Sequence, residues 1–195
     1  MKVIGVTGSS GSGKSTVAKL ISKELDAKLV VADDIVKKMQ QPENIYFKKI
    51  VNLLGEQYLN EEGKLNRKKI AELIFRDKAK RAEINKLTQK YVVTEIKNEI
   101  KEATNDYVVI DVPLLIESGL NKMCSLVIGV ISDYDIQIKR ISLRDGLSKE
   151  EAKARLKVQP DNQFYKENVD YIVENNGGEY DKLLGRIRNI LQELQ

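Results

Sequence analysis

Residues 8–16 read Gly-Ser-Ser-Gly-Ser-Gly-Lys-Ser-Thr, and this stretch constrains the chain more than any other. It has the spacing G-x-x-x-x-G-K-[ST], with an apolar, β-branched run before it (Met1 to Thr7, MKVIGVT) and a helical pattern after it. That context, strand then glycine-rich turn then helix, gives the motif its physical meaning. Gly8, Gly11 and Gly13 let the backbone turn its amide N–H groups inward around a phosphate, with Ser12 carried in the same turn. The helix that follows adds its unpaired N–H groups and the positive end of its dipole, so Lys14, Ser15 and Thr16 open an anion site. Lys14 is the side chain to reach β- and γ-phosphates, and the Ser15 hydroxyl is the one to meet Mg²⁺. The expectation is a nucleoside-triphosphate site. The motif alone does not separate a kinase from a GTPase, an ATPase or a transporter subunit.

Composition narrows the chemistry. The 195 residues suit one domain with room for a small insertion, and 42% hydrophobic with 32% charged residues is ordinary for a globular chain. The net charge of +4 fits a mixed-sign surface and makes no case for nucleic acid. There is no histidine, so a histidine base, a Ser-His pair and a His-ligated metal are excluded. The one cysteine, Cys124, allows no internal disulfide and reads as buried packing. Met1 leads directly into a core strand without a signal-peptide pattern, and no apolar stretch reaches the length of a membrane span. A cytoplasmic protein acting on a small molecule is expected, and the sequence fixes no oligomeric state.

Strand and helix patterns alternate. The apolar spacing predicts a helix over Lys14–Leu25 and a strand over Leu29–Ala32 that ends at Asp33-Asp34. A helix begins at Ile35, and another is opened by Pro42 and Glu43 and closed by Gly55. From about 57 to 104 the chain is charged and helical, with a helix from Leu65-Asn66-Arg67 to Phe75 and a long one over Asp77–Ala103, broken at most once. Strands are predicted at Tyr107–Val112, stopped by Pro113, at Leu126–Ile131 and at Val169–Val173. Helices are predicted over Asp133–Arg144, from a Ser148/Glu151 capping box onward, and over Glu179–Leu194. This is an α/β chain with a parallel sheet covered by helices on both faces. Its core covers about 1–56 and 105–195, interrupted by a helical insertion at about 57–104.

In such sheets ligands bind at the carboxyl ends of the strands. The glycine-rich loop, Asp33 and Asp111 all end strands, so three elements distant in sequence are expected at one edge. Asp33 is the natural base for an attacking hydroxyl; capping the helix at Ile35 is its alternative role, which Asp34 fills equally well. Asp111 is placed to hold Mg²⁺ directly or through water, or else to serve only as a turn residue. Pro113 would stiffen the loop after it. Arg140 and Arg144 share a helical face, with Arg155 on the next helix. Two helices joined by Asp145-Gly146 either form a lid that carries guanidinium groups to a phosphate or present a solvated basic face paired with Asp145, Glu150 and Glu151. Arg67, in the helical insertion, is a lone candidate for an anionic substrate.

Several segments together are more specific than the loop: VTGSSGSGKSTVA at 6–18, ADDI at 32–35, LNRKKIAELIF at 65–75, VVIDVPLLIESG at 108–119, QIKRISLRDGLSKEEAKARLKVQ at 137–159 and VDYIVENNG at 169–177. In this order they resemble the dephospho-CoA kinases of coenzyme A biosynthesis. The resemblance implies a P-loop kinase core, a helical substrate-binding region and a lid at about 139–160. It implies transfer of the ATP γ-phosphoryl group, with Mg²⁺, to the ribose 3′-hydroxyl of dephospho-coenzyme A. Asp33 matches the family's catalytic acid, Arg140 and Arg144 fall in the lid stretch, and Arg67 falls in the substrate-binding region, with Asp111 and Pro113 in the DVPLL segment. Three places depart from the family pattern. Val31-Ala32-Asp33 stands where D-A-D is usual, Thr88-Gln89-Lys90 where Thr-His-Pro is usual, and GSSGSGKS where GGIGSGKS is usual. Another small-molecule kinase of nucleosides or nucleotides would share the same core. A GTPase switch would carry Asn-Lys-x-Asp, which Asn85–Thr88 and Asn121–Cys124 both lack.

Overall fold

The computed structural model describes residues 1–178 and 180–193. Its chain divides into two compact units. One holds Met1–Val30 and the chain from Glu102 onward; the other holds Val31–Lys101.

The first unit is built on a sheet in the order β2-β3-β1-β4-β5, five strands among the described residues. The strands are β1 (Lys2–Thr7), β2 (Lys28–Val31), β3 (Tyr107–Asp111), β4 (Leu126–Ile131) and β5 (Tyr171–Glu174). β1 pairs in parallel with β3 and with β4, and β4 with β5; Val6 stands opposite both Asp111 and Ile128. Burial on both faces explains the unbroken apolar runs: all six residues of β4 are buried. Side chains alternate across the sheet. Ile4, Val6, Val109, Ile128 and Val130 pack on Val17, Ala18 and Ile21 of α1 (Lys14–Glu24) and on Ile187 and Leu191 of the closing helix. At Gly5 the other face is filled from outside the strand: a β-carbon there would stand 2.6 Å from Leu115 Cδ2 and 2.8 Å from Cys124 Sγ. Burial pushes the Cys124 thiol up to about 12. It stays protonated and packs as an apolar group, donating to the Leu120 carbonyl at 3.5 Å.

In chain order the helices after α1 are α2 (Ala32–Met39), α3 (Ile45–Leu54), α4 (Arg67–Arg76), α5 (Lys78–Lys101), α6 (Tyr134–Asp145), α7 (Lys149–Lys157), α8 (Asn162–Asn168) and α9 (Tyr180–Gln192). Helices α2 to α5 make up the second unit. Its elements start where side chains cap them. Asn44 accepts from Tyr46 N at 2.8 Å and Asn66 from Lys69 N at 3.1 Å, so α3 starts after Asn44, later than Pro42-Glu43 suggests. α5 runs unbroken for 24 residues.

The structure departs from the sequence reading at several further places. β2 stops at Val31, and α2 starts at Ala32 with Val31 as a cap without a side-chain bond. Asp33 and Asp34 therefore lie inside the first turn, where acids suit the helix dipole, and Asp33 is not the N-cap of a helix at Ile35. α8 is absent from the sequence reading because seven residues carry too little periodicity; Asp161 caps it by accepting from Phe164 N at 2.9 Å. β5 starts two residues later than Val169. The helix expected over 179–194 is α9, and Glu179 and Leu194 lie outside the described residues. The Ser148/Glu151 capping box is present with both its bonds, 3.2 Å and 2.8 Å.

Candidate active site

The glycine-rich loop leaves β1 and enters α1. Gly11 has φ +78° and Gly13 has φ +91°, backbone that L side chains rarely adopt. Space forbids a side chain there as well. A β-carbon on Gly11 would stand 2.7 Å from the Gln137 carbonyl oxygen, and one on Gly13 2.0 Å from Asn175 Nδ2. The loop is thus packed from outside by α6 and by the segment after β5.

The carbonyls of the loop are held by side chains. Arg140 Nη1 donates to Gly11 O at 3.0 Å, to Ser12 O at 3.3 Å and to Asn175 O at 2.9 Å. Asn175 Nδ2 donates to Ser12 O at 2.9 Å. Gln137 Nε2 donates to Ser9 Oγ at 2.6 Å and to Ser10 O at 3.2 Å. With its carbonyls turned outward, the loop presents its remaining amides inward, a nest for anionic oxygen. The first amides of α1, on Lys14 and Ser15, have no acceptor one turn back and add to it. The Ser15 and Thr16 side chains are exposed.

Lys14 Nζ makes an ion pair with Asp111 Oδ1, and both side chains are largely buried, 11% and 1% exposed. Asp111 ends β3, directly beside β1, which is why a residue so far along the chain meets the loop. Two buried oxygens here, Asp111 Oδ2 and Ser12 Oγ, have no hydrogen-bond partner among the described residues. A buried acceptor without a partner is costly, and it marks where a further ligand fits. Among the described residues no group of three or more His, Cys, Asp or Glu side chains is placed to hold a metal. Mg²⁺ needs none, since it takes one or two carboxylates and completes its shell with phosphate oxygens and water. The Ser15 hydroxyl and Asp111 Oδ2 are donors of the right hardness for it. Pro113 follows this strand, and its carbonyl accepts from Thr7 Oγ1 at 3.1 Å, tying the two strand ends together.

The predicted lid stretch carries a compact charge cluster. Asp145 accepts from Arg144 Nε and Nη2, both at 2.8 Å, and from Arg155 Nη1 at 2.6 Å. The Arg144 guanidinium first, and Arg155 with it, holds the Asp145 carboxyl below its ordinary range. Beneath it Ile138, Ile141, Ala152 and Leu156 form a small core joining α6 to α7.

In the helical unit, Asp33 lies exposed in the first turn of α2. Arg67 opens α4, and its Nη2 donates to Gln40 Oε1 at 3.0 Å. Among the sequence-predicted residues of the sheet unit, the structure joins the loop, Lys14, Asp111, Pro113 and Arg140 into one bonded cluster. Gln137, Gln159 and Asn175 belong to the same cluster, and the sequence reading did not single them out. A signal existed for one of them: Gln137 is a polar residue three before Arg140 on a helix whose neighbours Ile138 and Ile141 are buried.

A central parallel sheet, a glycine loop cradled by its neighbours, and a lysine at the start of α1 paired with an aspartate at the end of β3 define a P-loop nucleotide-binding fold. The comparisons with known proteins agree and are narrower. The family model described as CoaE, dephospho-CoA kinase, matches residues 2–181. The dephospho-CoA kinase of Fusobacterium nucleatum is 38% identical over 175 residues, covering 89% of each chain. Among solved structures, TT1252 from Thermus thermophilus superposes with a TM-score of 0.83 at 25% identity, over 100% of this chain and 98% of that one. A dephospho-CoA kinase from Campylobacter jejuni superposes with a TM-score of 0.69 at 29% identity, over 100% and 98%. The chain belongs to the dephospho-CoA kinase family, and it is a kinase.

Proposed function

We propose that this kinase transfers the γ-phosphoryl group of ATP to the ribose 3′-hydroxyl of dephospho-coenzyme A, the last step of coenzyme A biosynthesis, in the cytoplasm. The observation that carries the reading is the preset loop Gly8–Thr16 with Lys14 at its mouth, in a chain of this family. Phosphoryl transfer asks for positioning and charge neutralisation more than for covalent chemistry. The inward amides bind the β-phosphate, and Lys14 exchanges its bond to Asp111 for phosphate oxygen. Ser15 and Asp111 are the residues to hold Mg²⁺, which when bound neutralises charge on the β- and γ-oxygens.

Asp33 matches the family's catalytic acid and acts as the base. The 3′-oxygen attacks the γ-phosphorus, the bond to the ADP oxygen breaks, and the hydroxyl proton passes to the Asp33 carboxylate. Segment 57–104 takes the acceptor, with Arg67 as an anion contact. Segment 139–160 is the lid. Arg140 serves through the loop carbonyls that it holds, and Arg144 is its partner for the transferred phosphoryl group. Among the described residues no helix is long and apolar enough to cross a membrane.

The test is ADP release from Mg-ATP by the purified chain, with and without dephospho-coenzyme A, with the product mass recorded. Acceptor-dependent ADP and a product heavier by one phosphoryl group are expected. Phosphorylation of uridine or a nucleoside monophosphate, with none of dephospho-coenzyme A, would overturn the reading.

A further inference from the structure

Ser10 has the peptide on each side of it held by a carboxamide from a distant part of the chain. Gln137 Nε2 donates to its carbonyl at 3.2 Å. Gln159 Oε1 accepts from its N–H at 2.8 Å, and Gln159 Nε2 donates to its hydroxyl at 3.1 Å. Gln159 stands two residues beyond the last residue of α7. Beside this contact lies a cavity of about 650 Å³, whose lining includes Gln137 and Gln159 together with the apolar Leu156 and Pro160. The Ser10 N–H, carbonyl and hydroxyl are each held by a carboxamide.

The direction of these bonds matters. A peptide N–H that points outward to Gln159 is not one of the amides that face a phosphate. Its neighbours along the chain are fixed by the same choice, because successive peptides share their Cα atoms and Gly11, next in line, sits at φ +78°. Turning the Ser9–Ser10 peptide would break the bond to Gln159 Oε1, and turning the Ser10–Gly11 peptide would break the bond from Gln137 Nε2.

We propose that Gln159 is a positioning residue that sets the phosphate loop from the end of α7, so that nucleotide binding depends on how α6 and α7 are seated. It touches no reacting atom; it acts through Ser10. The α6–α7 pair is itself one packed piece, through Ile138, Ile141, Ala152 and Leu156. A shift of that piece moves Gln159 and so loosens the loop, and an occupied loop holds the piece in place. This inference rests on the reading of Gly8–Thr16 as the nucleotide site.

The experiment compares wild-type chain, Gln159→Met, Ser10→Ala and the double variant. It measures ATP affinity, KM for ATP, turnover at saturating ATP, and amide hydrogen exchange of the 8–13 segment. Methionine keeps the length of the side chain and removes both bonds. Gln159→Met is expected to weaken ATP binding about tenfold. KM for ATP rises with it, turnover at saturation changes less than threefold, and the loop amides exchange faster before nucleotide is added. Ser10→Ala weakens binding about twofold to threefold in the wild-type background and adds nothing to Gln159→Met, as partners in one interaction should behave. A purely structural role would lower the melting temperature without the KM-against-kcat split or the local exchange change, and would overturn the proposal. Should Gln159→Met not fold, Gln159→Asn, which is one methylene too short to reach, carries the same expectations. Wild-type ATP binding with unchanged affinity in the variants overturns this inference alone. A wild-type chain that binds no nucleotide overturns it together with the reading on which it rests.

Discussion

The two units hold their candidate functional side chains in opposite ways. In the sheet unit, Lys14, Asp111, Arg140, Gln137 and Asn175 are buried or half-buried and bonded to one another across more than thirty residues of chain. In the helical unit, Asp33 is exposed and Arg67 has an exposed bond to Gln40. α4 has no buried residue, and α5, with 24, has two, Ile96 and Ile100. By contrast, β4 buries all six. A triphosphate has the same shape in every turnover, so a rigid cradle costs little at the moment of binding. On the proposed reading, a long flexible acceptor is met by these exposed side chains.

Four substitutions test that contrast, and the largest effect is expected at its rigid pole. Lys14→Met removes the cation for the phosphates and leaves Asp111 buried without its partner. Turnover should be lost, and the fold should lose about 3–5 kcal/mol, read by denaturant unfolding. Unchanged stability would mean that the pair is not buried in solution. Asp33→Asn is the counterpart in the helical unit. Turnover should fall roughly 10²–10⁴-fold, with ATP affinity intact and stability within about 1 kcal/mol of wild type. Near-normal turnover would leave Asp33 as a first-turn acid and no more.

Arg140→Met should weaken ATP binding about tenfold to hundredfold and lower stability, because charge-assisted bonds to three carbonyls go together. A drop in turnover alone, without loss of affinity, would return Arg140 to the reacting phosphate. The smallest effect concerns Asp145. Its folded carboxyl is held below the ordinary value, so its contribution is present above about pH 3.9, the usual value, and is lost as pH falls through the folded one. The cluster is partly exposed, so Asp145→Asn should cost under about 1 kcal/mol, seen as a flatter acid limb of the stability profile.

The sheet and the loop were legible because both are local patterns: continuous apolar runs for strands buried on two faces, and glycines at fixed offsets. The capping box at Ser148 was legible for the same reason. What the sequence could not display was which polar side chains close the loop from outside. Gln137, Gln159 and Asn175 meet residues 128, 149 and 163 positions away, and no local pattern records such a pairing. At Asp33 the reading erred by placing the helix three residues late, since an alanine followed by two acids looks like a strand end and is equally good as a first turn. In the helical unit the long pattern of α5 was clear, while the capping asparagines set the starts of α3 and α4.

β1 is made long before either of its neighbours in the sheet. Its partners begin at Tyr107 on one side and at Leu126 on the other, so its hydrogen bonds close only after long loops have been drawn together. The helical unit lies between them in the chain and carries bonds of its own across long separations, Tyr46 with Thr88 and Arg67 to Gln40. The glycine loop is therefore a motif complete in sequence long before it is a shape: a nascent chain cut before β4 carries every residue of it, yet lacks Gln137, Arg140 and Asn175 to turn its carbonyls outward. A shaped loop therefore reports that α6 and the segment after β5 have been seated on it.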